Sequence, residues 1–300
     1  MVAIRFRSAH RSALLVGALL LAACQTAPTW PLPEGLRVIR VDGYPMAYLE
    51  AGRGPTVVLV HGVWSDYRAL GAVQRALADR FRVISVSLRH AWPEPWDGTG
   101  SGYSPGRHSR DLVSFIERIG GPVHLVGQSY GDQVALAAAR TRPDLVARLV
   151  LAEGGPVQDP DVPSDVQAAQ FAALGARTEQ LLRTRGLDAG LEFAVDALAA
   201  SGVWARYPEA VKAVHRQNAW TLVGLARDPA PAALRCEEFG ALPMPVMLLT
   251  GENTSPRHKA LVRRQAACLP SARVATIPGV AHLVQLNAPA VRAALEEFLK

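Results

Sequence analysis

The chain is short of the features that several chemistries require. Aromatic residues make up only 6% of the 300 residues, and no basic stripe interleaves with them, so nucleic acid is not an expected partner. There are eight histidines, but no pair of them shows ligand spacing with carboxylates; no metal and no other cofactor is expected. The N-terminal apolar run over residues 13–21 is too short to span a bilayer comfortably. Residues 156–243 hold no convincing strand run, although strand and helix patterns alternate on either side of them. Cysteine is scarce, with three in all. What is abundant is apolar surface: 49% of the residues are hydrophobic, ample for a core.

The centre of the pattern is Gly127-Gln128-Ser129-Tyr130-Gly131. Before it, Val123-His124-Leu125-Val126 reads as a buried strand bounded by Pro122. After it, residues 132–139 read as a helix. Ser129 therefore sits on a sharp strand-to-helix turn that lifts its hydroxyl clear of the sheet. The glycines on either side let strand and helix approach closely. This stretch with its flanks resembles the nucleophile elbow of the α/β-hydrolase fold. The resemblance implies an α/β architecture: a mostly parallel sheet flanked by helices, with a helical cap inserted after the strand that follows the nucleophile helix.

The resemblance extends over nearly all of the chain beyond its N-terminus. The 37–41 and 46–50 strands are similar to the opening hairpin of that fold, with a turn at Asp42-Gly43. The buried run Thr56-Val57-Val58-Leu59-Val60 leads into His61-Gly62-Val63, where the family carries a His-Gly pair. By resemblance, the backbone N–H groups of Val63 and Tyr130 form the oxyanion hole, and His61 is a hydrogen-bonding residue of its loop rather than a base. A helix is expected over 66–81 and a strand over 82–88. The 89–106 segment reads as a loop with three prolines and four glycines. Its Trp92 and Trp96 either line a substrate pocket or pack the loop down. Within 156–243, helices are expected over 166–174, 178–183, 191–199 and 208–225, as in the family's cap. The core is then 37–155 with 244–300.

The acid and the base follow from the same comparison. Pro278-Gly279-Val280-Ala281-His282 follows the last strand and matches the setting of the family's base, with Ala281 where glycine is frequent. The family's acid, most often aspartate, usually lies in the loop that here reads Gly251-Glu252-Asn253-Thr254-Ser255-Pro256, which has no aspartate. A minority of the fold puts a glutamate one strand after the elbow helix, where Leu151-Ala152-Glu153 stands. Glu153 is the expected acid and Glu252 its alternative. Together Ser129, His282 and Glu153 imply a serine hydrolase that cleaves a carboxylic ester or similar small acyl substrate. Ser129 argues against epoxide hydrolases and haloalkane dehalogenases, which need an aspartate nucleophile. Carbon–carbon bond hydrolases and cofactor-free haloperoxidases or perhydrolases keep the serine and stay open. So does a non-catalytic lipid-anchored binding protein on the same fold.

Residues 1–23 read as a targeting segment, with Arg5, Arg7 and Arg11 and no acid ahead of the apolar run. The run ends in Leu21-Ala22-Ala23-Cys24, which resembles a bacterial lipobox. That resemblance implies lipidation of Cys24, a tether over 24–36, and anchoring to the bacterial cell envelope through the lipid. Gln25 in place of aspartate favours the outer membrane. Loss of those three arginines would take the formal charge from +6 to +3. Cys236 and Cys268 are then the remaining cysteines, and export would place them where disulfides persist. Spacing leaves a bridge and two separate buried thiols both open. The sequence is silent on oligomeric state.

Overall fold

The computed structural model describes residues 28–100, 102–154, 164–227, 236–239 and 242–300. Eight strands form: β1 (Arg37–Val41), β2 (Tyr44–Ala51), β3 (Thr56–Val60), β4 (Arg82–Val86), β5 (Val123–Gln128), β6 (Val146–Ala152), β7 (Val246–Gly251) and β8 (Arg273–Ile277). They make one sheet in the order β1-β2-β4-β3-β5-β6-β7-β8. The β1–β2 and β2–β4 pairs are antiparallel, and every other neighbouring pair is parallel. Asp42 and Gly43 both have positive φ (47° and 77°), the backbone that a two-residue hairpin turn requires.

The continuous apolar strands are explained by helices on both faces. Along β3, Val58 and Val60 face the layer built by α2 (Pro105–Ile119), α3 (Tyr130–Thr141) and α10 (Pro256–Cys268). Val57 and Leu59 face the opposite layer, built by α1 (Gly71–Leu77) and α11 (Ala288–Phe298). The period-two alternation of a pleated strand thus feeds two cores at once. In β6 the same rule sends Leu149 and Leu151 to the first layer and Val150 and Ala152 to the second.

Among the described residues between β6 and β7, every regular element is helical: α4 (Ser164–Arg185), α5 (Leu187–Leu198), α6 (Val203–Arg206), α7 (Glu209–Gln217), α8 (Thr221–Arg227) and α9 (Cys236–Phe239). These helices carry a core of their own, with Leu182, Leu191, Val195, Trp204, Leu222 and Val223 gathered on Trp64 from the loop after β3.

Three sequence expectations change. The two helices expected at 166–174 and 178–183 are one continuous helix, α4. The helix expected over 208–225 breaks at Asn218, because its side chain serves other partners. Asn218 Nδ2 donates to Asp66 Oδ2 (2.7 Å) and to Val214 O (2.8 Å), while its Oδ1 accepts from Trp92 N (2.8 Å). The helix expected from Asp66 starts only at Gly71. Asp66 is fully buried and takes two hydrogen bonds from the Arg68 guanidinium, at 2.8 and 2.6 Å, as well as the one from Asn218.

Cys236 and Cys268 are joined in a disulfide with a Cα separation of 4.8 Å, so of the two possibilities the sequence left open the structure has the bridge. It ties α9 to the end of α10. The targeting segment and Cys24 lie outside the described residues, and no described helix is long and apolar enough to cross a membrane.

Candidate active site

Four loops meet at the carboxyl ends of the parallel strands, the place where open α/β sheets bind ligands. Ser129 follows β5, Glu153 follows β6, His61-Gly62-Val63 follows β3, and His282 lies five residues past β8. The turn at Ser129 is strained: its φ is 54° and ψ −120°, a region that side chains rarely enter. Its N–H donates to Ala152 O at 2.8 Å, which ties the turn to the next strand. The turn also requires flanking glycines. A Cβ on Gly127 would lie 2.3 Å from Gly131 O, and one on Gly131 would lie 2.3 Å from Val60 O.

The Ser129 hydroxyl is 3.0 Å from His282 Nε2, and His282 Nδ1 is 2.9 Å from Glu153 Oε2. A carboxylate only accepts, so Nδ1 carries the proton and Nε2 is left to accept from the Ser129 hydroxyl. His282 is partly exposed, whereas the Glu153 side chain is fully buried. Glu153 has a positive φ (53°), so its backbone is also held off the common regions.

The Glu153 carboxylate is surrounded by donors. Oε1 accepts from Gly251 N (2.6 Å) and Thr250 Oγ1 (2.8 Å), and Oε2 accepts from Thr254 Oγ1 (2.7 Å) beside His282. Burial by itself pushes such a carboxyl up. The His282 hydrogen bond and charge, with Gly251 and Thr254, more than offset it and hold Glu153 below the usual carboxylate range. Glu252 points elsewhere: it is exposed, and its Oε2 accepts from Gly279 N at 2.9 Å.

A second buried acid behaves in the opposite way. Asp132, on the first turn of α3, is pushed up to about 7 by burial, with Gln265 and Gly154 N acting against the shift. Its partners are few and long: Gly154 N at 3.1 Å and Gln265 Nε2 at 3.3 Å. Asp132 holds the residue after Glu153 in place from behind the site.

The backbone N–H of Tyr130 opens α3 immediately beyond Ser129. The Val63 loop adjoins it, since a Cβ on Gly62 would lie 3.1 Å from Ser129 Cβ. His61 is buried within that loop, its Nε2 accepting from Leu88 N (3.0 Å) and its Nδ1 2.7 Å from Gly62 O. Burial lowers its basicity, which suits a neutral ring that bridges two backbones. The tryptophans of the 89–106 loop pack inward. Trp92 stacks on Tyr67 under the Arg68 guanidinium, and Trp96 lies between His90 and Tyr103.

Sequence reasoning missed His258. The sequence pattern puts His258 at the start of a helix over 257–269, and the structure starts that helix at the Ser255-Pro256 N-cap. Nothing local reveals that its ring lies on His282. Spacing along the chain gave no metal set, yet Glu153, His258 and His282 bring ligand atoms within 4.8 Å of one another. The two rings are stacked, however, with centroids 4.1 Å apart and planes 25° from parallel. A metal binds in the plane of an imidazole, and two nearly parallel planes do not meet at a common ion. The observed arrangement is a stack rather than a chelate.

A model of the alpha/beta hydrolase family matches residues 57–295. An uncharacterised protein of Mycobacterium tuberculosis is 37% identical over 130 residues, 42% of this chain and 36% of that protein, so the match spans about a third of that relative's length. A 2-(acetamidomethylene)succinate hydrolase of Mesorhizobium japonicum is 24% identical over 253 residues, 81% of this chain and 86% of the relative. Among solved structures, a thermophilic esterase from Thermogutta terrifontis superposes with a TM-score of 0.68 at 23% identity, covering 88% of this chain and 96% of the other. That likeness shows the fold.

Proposed function

From the premise that the chain belongs to the alpha/beta hydrolase family, we propose that it is a serine hydrolase of carboxylic esters or similar acyl compounds, with Ser129 as nucleophile, His282 as base and Glu153 as acid. The observation that carries this reading is the unbroken line from Ser129 Oγ through both nitrogens of His282 to Glu153 Oε2. His282 takes the Ser129 proton as the hydroxyl attacks the acyl carbon. The N–H groups of Val63 and Tyr130 hold the oxyanion of the tetrahedral intermediate. His282 then gives its proton to the leaving group. Water deacylates Ser129 through the same residues in reverse roles, while Glu153 fixes the tautomer and stabilises the imidazolium.

A fluorophosphonate probe tests the assignment. It is expected to label the protein, and Ser129→Ala is expected to abolish the labelling. Labelling that survives the substitution overturns the nucleophile; a folded wild-type protein that never labels favours a binding module on the same fold. A panel of p-nitrophenyl esters then reads acyl-chain preference.

The helices between β6 and β7 act in this reading as a cap over the site. The lipobox-like ending at Cys24 supports export and anchoring of the enzyme to the cell envelope through a lipidated cysteine, with the outer membrane as the favoured side. Intact-mass measurement of the protein from membranes is expected to show residue 24 as a lipidated N-terminus; an unmodified cysteine there rules the anchor out.

A further inference from the structure

We propose that His258 is a positioning residue for His282, its ring stacked on the His282 ring so as to support the imidazolium that forms when Ser129 loses its proton. This rests on the proposed roles of Ser129, His282 and Glu153.

Three features carry it. The rings lie 4.1 Å apart between centroids and 25° from parallel, a face-to-face contact rather than an edge. His258 is buried, and its ring is pinned at the other side: Ser255 Oγ is 2.8 Å from His258 Nδ1 and also accepts from His258 N at 3.3 Å. The ring also remains uncharged where the reaction runs. Burial lowers its basicity strongly, the nearby charge of His282 and that of Arg257 act in the same direction, and Glu153 alone opposes them.

These groups come from every side of the pair: Glu153 from the end of β6, His282 from the loop after β8, and Arg257 from α10 itself. Glu252 is turned outward to Gly279. An uncharged aromatic face against a ring that becomes cationic attracts the cation. A protonated His258 would repel it. The position therefore needs an aromatic ring that does not take up a proton, and the buried first turn of α10 supplies one.

The test compares His258→Leu and His258→Phe with the wild-type protein in two measurements. In the pH profile of kcat/KM for p-nitrophenyl acetate, His258→Leu is expected to lower the rate and to move the acid limb down by about half to one pH unit, the scale of a cation–π contact. His258→Phe, which keeps the face, is expected to hold the limb close to the wild-type position. An unmoved or raised limb in His258→Leu overturns the proposal, as does a Phe variant displaced as far as the Leu variant.

The second measurement is independent of turnover. The His282 ring is titrated by NMR in the Ser129→Ala protein, alone and combined with His258→Phe or His258→Gln. The Gln combination is expected to lower the His282 midpoint and the Phe combination to preserve it; equal midpoints in all three overturn the proposal. If the wild type proves not to be a hydrolase, this titration still reads the stack. It also covers a Leu variant that fails to fold.

Discussion

The sheet end that carries Ser129 and the helical region between β6 and β7 are built on different principles. At the sheet end, Ser129 and Glu153 leave the tips of buried strands and His282 stands in the loop after the edge strand β8. Ser129 and Glu153 both have positive φ, and the Glu153 carboxylate is met by Gly251 N and two threonine hydroxyls. The helices between β6 and β7 have an apolar core of their own, which rests on Trp64. Their register on the rest of the molecule depends on polar contacts: Asn218 with Asp66 and Trp92, and Thr221 Oγ1 accepting from Trp64 N at 2.8 Å. Strand tips give a site whose geometry is fixed by the sheet. Buried side-chain hydrogen bonds give a helical layer whose placement hangs on a few residues. The two regions should therefore fail differently.

The largest effect is expected at the sheet end. Glu153→Gln keeps the shape of the side chain but removes the charge that orients His282 and stabilises its imidazolium. A loss in kcat on the order of 10⁴-fold is expected by analogy with the acid of serine-protease triads. Glu252→Gln, whose carboxylate accepts from Gly279 N away from His282, is expected to leave kcat roughly unchanged. Steady-state kinetics on a p-nitrophenyl ester, with circular dichroism to confirm folding, check the pair. The reverse pattern would transfer the role to Glu252.

The same contrast governs what could be read before the structure. Strand tips are local: a buried run ended by Ser129 or by Glu153, and the exposed edge strand ended by Pro278-Gly279 ahead of His282, each mark a position at the rim of the sheet, and the fold brings these three side chains into hydrogen-bond contact. The central strands were legible because burial on both faces makes their sequences largely apolar. The fate of Asp66 was not. It stands at the start of the helix expected over 66–81, but its partner Asn218 lies 152 residues away. The break between α7 and α8 was hidden for the same reason, since Asn218 leaves the helical pattern only to meet partners the local sequence does not show. His258 is a third case: its place on α10 was open to inference from the helical pattern over 257–269, its contact with His282 was not. Cys236 and Cys268 could be named as a possible pair, but only the 4.8 Å between their Cα atoms decides it.

A smaller and different effect is expected from Asn218→Ala, which cuts the helical region's hold without touching the strand tips. The substitution leaves Trp92 N–H without its acceptor and removes one of the donors to Asp66. Asp66 itself keeps both hydrogen bonds from the Arg68 guanidinium, so no charge is left unpaired. The cost is then that of a buried polar group short of a partner, about 1–3 kcal/mol, rather than that of a broken buried ion pair. Urea unfolding should show a lower midpoint with an unchanged slope. Labelling of Ser129 by a small fluorophosphonate should meanwhile proceed at close to the wild-type rate, because the Ser129–His282–Glu153 line makes no contact with Asn218. On the proposed reading of these helices as a cap over the site, KM for a long-chain ester should rise. Loss of labelling together with unchanged stability would mean that Asn218 acts on the sheet end directly, and the two regions would then not be separable as described.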